Sequence, residues 1–154
     1  MNPEQQMVPF NVLLAEDDKD DRFFFDKALK EISISTKLTT VYDGEELMMY
    51  LSENMEQLPD VLFLDINMPR KNGIECIAEI RQNKKLKNLF VVMFSTFYSR
   101  YIDYEHEMIK KIKAIGVDDF IRKPHDYGQL KEIIHKVLLR GIDKKALKEQ
   151  TNLI

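Results

Sequence analysis

The stretch VLFLDINMPRKNG, residues 61–73, decides how the rest of the chain is read. Four apolar residues, Val61 to Leu64, stop abruptly at the carboxylate of Asp65, and a turn containing Pro69 and Gly73 follows. A short, uninterrupted apolar run bounded by turn signals suits a strand covered on both faces, as in a parallel sheet. Asp65 then stands at the carboxyl end of that strand, where open α/β sheets bind their ligands. An Asp also opens turns for purely local reasons, because its side chain bonds the backbone two residues on. Taken alone, the residue supports both readings.

Upstream of this stretch, FNVLLA (residues 10–15) reads as a first buried strand, closed by Glu16, Asp17 and Asp18. The pattern predicts a helix over residues 20–31. Asp20 and Asp21 lie in its first turn, where negative charge suits the helix dipole, and Phe24, Phe25, Ala28, Leu29 and Ile32 form its apolar stripe. The β-branched KLTTVY (residues 37–42) reads as a second strand. Asp43, with Glu46 three residues on, caps a helix carrying Leu47, Met48 and Leu51.

Downstream, Ile74, Ile77, Ala78 and Ile80 mark a third helix, and LFVVMF (residues 89–94) a fourth strand closed by Ser95 and Thr96. A helix over residues 99–115 carries Ile102, Met108, Ile109, Ile112 and Ile115, with Gly116 as its stop. Phe120 and Ile121 belong to a short fifth strand, closed by Arg122, Lys123 and Pro124. Asp126 caps a last helix with Leu130, Ile133, Ile134, Val137 and Leu138, and Gly141 marks its end. Residues 10–140 then form one domain, between an N-terminal extension (1–9) and a mixed-charge tail or helix extension (141–154).

Five strands alternating with five helices make an α/β fold with a parallel sheet the economical solution. Its strands end in Glu16 and Asp17, Asp65, Ser95 and Lys123. In a parallel sheet those ends share one edge, so acids, a hydroxyl and an ammonium converge there.

Composition narrows the function. Apolar residues at 44% beside 32% charged describe a globular chain long enough to bury a substantial core. A net charge of −3 gives no footing for nucleic acid through phosphate neutralisation. The single cysteine, Cys76, allows no internal disulfide, suits a reducing compartment, and sits on a helical apolar pattern where packing explains it. No basic start followed by an apolar segment marks a signal peptide. No apolar run approaches the ~20 residues that span a bilayer, so a cytoplasmic location without membrane insertion is expected. His106, His125 and His135 have no metal-ligand spacing with the carboxylates.

As an ordered set, the acidic cluster, LDINMPRKNG, Ser95-Thr96 and Lys123-Pro124 resemble the receiver domain of two-component response regulators, over residues 10–140. The resemblance implies a CheY-like, flavodoxin-like doubly wound sheet of order 2-1-3-4-5. It implies that Asp65 accepts a phosphoryl group as an acyl phosphate, a form of covalent carboxylate catalysis. It also implies a Mg²⁺ cofactor held by Glu16, Asp17, Asp65 and the backbone carbonyl of Asn67, with Asp18 as an alternative member of the acidic frame. Lys123 pairs with Asp65 and later with the phosphoryl group; Ser95, or less favourably Thr96, donates its hydroxyl. Ser95 and Phe120 form the switch, and the peptide before Pro124 is expected to be cis. The expected partners are a sensor histidine kinase or histidine phosphotransfer protein and a downstream protein target, and a homodimer is compatible with the pattern.

The reading is therefore a stand-alone switch that catalyses its own phosphorylation and slow dephosphorylation. Phe97, an apolar group unable to orient water, is the reason for the slowness. The alternatives are a phosphorelay intermediate, a Mg²⁺-dependent aspartyl-phosphate hydrolase, a flavodoxin-like cofactor binder and a degenerate receiver. One departure stands out: the span from Ser95 to Lys123 is several residues longer than in a typical receiver, with Tyr98, Tyr101, Tyr104 and His106 in the added length.

Overall fold

A computed structural model describes residues 8–96 and 102–152. Its elements alternate along the chain as β1 (Phe10–Ala15), α1 (Lys19–Glu31), β2 (Thr36–Val41), α2 (Gly44–Glu53) and β3 (Val61–Leu64). They continue as α3 (Gly73–Gln82), β4 (Val91–Ser95), α4 (Ile102–Ile115), β5 (Asp119–Arg122) and α5 (Tyr127–Asn152). The five strands form one parallel sheet in the order β2-β1-β3-β4-β5.

The two-residue strand period splits the core into two layers. Leu13, Leu62, Leu64, Val91 and Met93 face α2, α3 and α4, packing on Leu47, Leu51, Ile77, Ile80 and Ile112. Val12, Leu14, Val61, Phe63, Val92 and Phe94 face α1 and α5, packing on Phe25, Leu29, Ile134, Val137 and Leu138. All four residues of β3 are fully buried. Covering such a strand on both faces removes apolar area worth about 25 cal/mol per Å², which makes β3 the centre of the fold.

The helix starts are specified locally. Asp18 accepts from the Asp21 N–H at 2.8 Å and caps α1; Asp43 does the same for Glu46 at 2.8 Å and caps α2. Asn72 and Glu75 form a reciprocal capping box on α3.

Gly141 does not end the last helix, as its sequence position suggested; α5 runs on to Asn152. Its role is close approach. A Cβ at Gly141 would lie 2.7 Å from Phe10 Cζ and 3.4 Å from Phe90 Cε2, so the missing side chain lets α5 press onto two core rings. The Lys123–Pro124 peptide is trans, not cis; trans is the lower-energy form of an X–Pro bond. Phe97, Tyr98 and Tyr101 lie outside the described residues. Within the long segment, Tyr104 is exposed and α4 begins at Ile102. No described helix is long and apolar enough to cross a membrane.

Candidate functional site

Strand register assembles the site. Ala15 pairs with Leu64, and the Asp65 N–H donates to the Ala15 carbonyl at 3.1 Å, so Glu16 and Asp65 leave the sheet side by side. On the other side of β3, Ser95 is the last residue of β4 and pairs with Arg122. The next N–H, that of Lys123, donates to the Ser95 carbonyl at 3.0 Å. Three strand junctions therefore deliver Glu16, Asp65, Ser95 and Lys123 to one place.

Glu16 and Asp65 are 2% and 7% exposed, and Ser95 is fully buried. One oxygen of Asp65, Oδ1, accepts from Ser95 Oγ at 2.6 Å and from the Ile66 N–H at 2.8 Å. The other, Oδ2, lies 3.4 Å from Lys123 Nζ. The ammonium of Lys123 also contacts Glu16 Oε1 and reaches Asp21 Oδ2 at 2.9 Å. Asp17 is exposed, yet it offers a carboxylate oxygen within 4.8 Å of oxygens from Glu16 and Asp65. Asp18 caps α1, and the carboxylates that come within this distance of one another among the described residues are those of Glu16, Asp17 and Asp65.

The turn after Asp65 closes back on the end of β3. Gly73 N–H donates to the Ile66 carbonyl at 2.8 Å, and a Cβ on Gly73 would sit 2.2 Å from the Asp65 carbonyl oxygen. Only glycine closes the turn so tightly. Arg70, in a left-handed conformation (φ 70°), ties the turn to Asp43 at 3.1 Å. Asn67 lies exposed in the same turn, two residues beyond Asp65.

Negative charge outweighs positive here. Burial pushes the Glu16 carboxyl up to about 9, helped by its hydrogen bond to Asp65 and the charge of Asp65, while Lys123 opposes the shift. Burial alone would pull Lys123 down, but the charges of Asp65 and Glu16 hold its ammonium well above the ordinary lysine range. One ammonium therefore contacts three carboxylates, those of Glu16, Asp21 and Asp65, with that of Asp17 beside them. The neighbouring guanidinium of Arg22 is turned to the backbone carbonyls of Glu16 and Asp17 at 3.2 and 2.7 Å. An all-oxygen donor set with unbalanced negative charge fits a hard divalent cation.

The structure thus brings together Glu16, Asp17, Asp65, Ser95 and Lys123. Phe120 stands apart from the carboxylates on β5, partly buried against the layer that includes Ile112. Thr96 offers Ser95 Oγ only a 3.4 Å backbone contact. Sequence reasoning took Asp21 only as a first-turn acid that suits the dipole of α1, and it did not single out Arg22, whose positive charge that dipole does not explain. His106, His125 and His135 are exposed, and the metal-capable cluster found among the described residues contains none of them.

Residues 12–135 match the family model of the response regulator receiver domain. Response regulator Rcp1 of Synechocystis sp. is 36% identical over 100 residues, covering 62% of this chain and 68% of that protein. The crystal structure of the phosphorylated cyanobacterial phytochrome response regulator RcpA aligns with a TM-score of 0.73 at 30% identity, over 84% of this chain and 91% of that one. The Mn²⁺-bound form of Rcp1 aligns at 0.71 and 28%, with the same coverage of both chains. Since the match runs from β1 into α5 and encloses the whole acidic edge of the sheet, the chain belongs to the response regulator receiver domain family of two-component signalling.

Proposed function

We propose that the protein is a phosphorylation-operated switch whose acceptor is Asp65. An Asp65 oxygen attacks phosphorus, the bond to the donor's histidine nitrogen breaks, and an acyl phosphate remains on Asp65. The donor is a sensor histidine kinase or a histidine phosphotransfer protein. Phosphoryl transfer depends more on positioning and charge neutralisation than on proton transfer, and the site's residues suit that demand.

Ser95 and the Ile66 N–H orient the Asp65 carboxylate before reaction. Lys123 supplies a point charge for the phosphoryl oxygens. Glu16, Asp17, Asp65 and the carbonyl of Asn67 would hold Mg²⁺. When bound, that ion offsets the repulsion between the acidic cluster and an incoming phosphate. The Mn²⁺-bound Rcp1 and the phosphorylated RcpA support this reading by similarity.

Once phosphorylated, the site gains about −1.5 to −2 charge and new acceptors. Ser95 then exchanges its bond to Asp65 for one to the phosphoryl group, and Phe120 turns inward behind it. The surface that changes is that of α4, β5 and α5, which presents the state to a downstream protein.

The observation that carries this reading is the Asp65 carboxylate, held on one oxygen by Ser95 and faced on the other by Lys123, in an acidic cluster that this one ammonium balances only in part. Incubation with Mg²⁺ and acetyl phosphate, followed by intact mass, tests it. The protein gains one phosphoryl group, and Asp65→Asn gains none. Steady release of inorganic phosphate over many turnovers, with no labelled protein, would instead favour a hydrolase.

A further inference from the structure

We infer that Asp21 is a positioning residue that holds Lys123 in place when a cation occupies Glu16, Asp17 and Asp65. The inference rests on the function proposed above and adds a residue that the acidic cluster does not contain.

Lys123 Nζ has three N–H donors and meets three carboxylates: Glu16, Asp21 at 2.9 Å and Asp65 at 3.4 Å. Two of these, Glu16 and Asp65, belong to the oxygen cluster that would bind the cation; Asp21 does not. An ammonium and a divalent cation compete for the same carboxylate oxygens. When the cation is bound, Glu16 and Asp65 are shared, and Asp21 is the one partner whose charge stays wholly with Lys123.

The position of Asp21 is itself fixed. It lies in the first turn of α1, where its N–H is tied to the Asp18 cap at 2.8 Å. The next residue, Arg22, binds the carbonyls of Glu16 and Asp17. At the other end, the Lys123 backbone is tied to the Ser95 carbonyl at 3.0 Å. The Lys123 end of the contact is therefore anchored to the end of β4 and the Asp21 end to the capped first turn of α1, and the contact spans the rim of the site. Asp21 is 43% exposed and Lys123 only 10%, so the pair reaches from solvent to the buried carboxylates.

Without Asp21, the Lys123 ammonium falls back on Glu16 and Asp65. It then competes harder with the cation and stands less well placed for the phosphoryl oxygens. Asp21 therefore acts through Lys123 and touches neither cation nor phosphate.

The test is a double-mutant cycle on Mn²⁺ affinity, read by electron paramagnetic resonance of the free ion, in wild type, Asp21→Ala, Lys123→Ala and the double variant. Asp21→Ala weakens Mn²⁺ about fivefold when Lys123 is present and by less than about twofold when it is absent. Asp21→Asn, which keeps the shape and loses the charge, follows Asp21→Ala and serves if the alanine variant melts early. With acetyl phosphate, Asp21→Ala lowers the saturating rate about tenfold and leaves the half-saturating donor concentration unchanged. Wild-type affinity in Asp21→Ala, or an equal loss with and without Lys123, overturns the inference alone. A wild-type protein that neither binds Mn²⁺ nor takes up phosphate overturns it together with the proposed function.

Discussion

Ser95 Oγ donates to Asp65 Oδ1 at 2.6 Å, joining the last residue of β4 to the first residue beyond β3. Both groups are buried, and the bond is assisted by the carboxylate charge, so it is stronger than a neutral one. Removing the hydroxyl leaves the Ile66 N–H as the remaining short contact to that oxygen. Ser95→Ala should therefore lower unfolding free energy by about 1–3 kcal/mol and slow phosphorylation, while Ser95→Thr retains most of both. Urea denaturation and the rate of labelling by acetyl phosphate measure the two effects.

Glu16 gives the metal-free protein an unusual pH dependence. Its carboxyl is raised from 4.5 to about 9 by burial first, then by Asp65. The folded state thus binds a proton more tightly than the unfolded chain does. The stabilisation from this group is complete below about pH 4.5 and is lost as pH rises through about 9. In the presence of chelator, chemical denaturation at pH 5.5 and 8.5 should show lower stability at the higher pH, and Glu16→Gln should flatten the difference. Because a divalent cation favours the ionised carboxylate, Mg²⁺ should raise the melting temperature more at pH 8.5 than at pH 5.5. Equal stability at both values in wild type would contradict this account of Glu16.

Gly141 offers a test of the extended last helix. In an exposed helix, replacing Gly by a larger residue commonly helps. Here a Cβ meets Phe10 at 2.7 Å, so overpacking outweighs propensity. Gly141→Val should cost about 1–3 kcal/mol, read from the denaturation midpoint, and should loosen hydrogen exchange in residues 141–152. An unchanged midpoint would mean that the Phe10 ring gives way freely.

Cys76 should be inert in the native protein. It is fully buried on α3, and burial pushes its thiol up to about 12. The reactive thiolate is therefore scarce as well as shielded. A disulfide reagent at pH 8 should label the folded protein very slowly and the denatured chain completely. Rapid labelling under native conditions would show that the packing of α3 against α2 opens readily.

Much of this arrangement could be read from the residues in order. The run Val61–Leu64 announced a strand covered on both faces because its apolarity does not alternate, and all four side chains are buried. Two of the polar strand ends were visible for the same reason, since Asp65 and Ser95 each follow an apolar run; Lys123 follows only the short Phe120–Ile121 pair and Arg122, and was marked by the proline after it. What stayed hidden depended on distance or on ambiguous signals. Asp21 meets Lys123 across 102 residues of sequence, and a first-turn acid on a helix already has a sufficient local explanation. Gly141 carried the mark of a helix stop, whereas its real constraint is the approach of Phe10 and Phe90 from other parts of the chain. Glu105 is an acid within the helical pattern of α4, yet it is buried where it pairs with Arg122 of β5. Only the tertiary fold gives these residues their partners.

The most direct measurement is the chemical location of the phosphoryl group. Protein labelled with acetyl phosphate in Mg²⁺ is reduced with borohydride, which converts a phosphorylated aspartate to homoserine, and is then sequenced by peptide mass spectrometry. Conversion is expected at Asp65 alone, dependent on Mg²⁺ and absent without phosphodonor. Conversion at Asp17 or Asp21 with Asp65 intact, or labelling that proceeds unchanged in chelator, would contradict it.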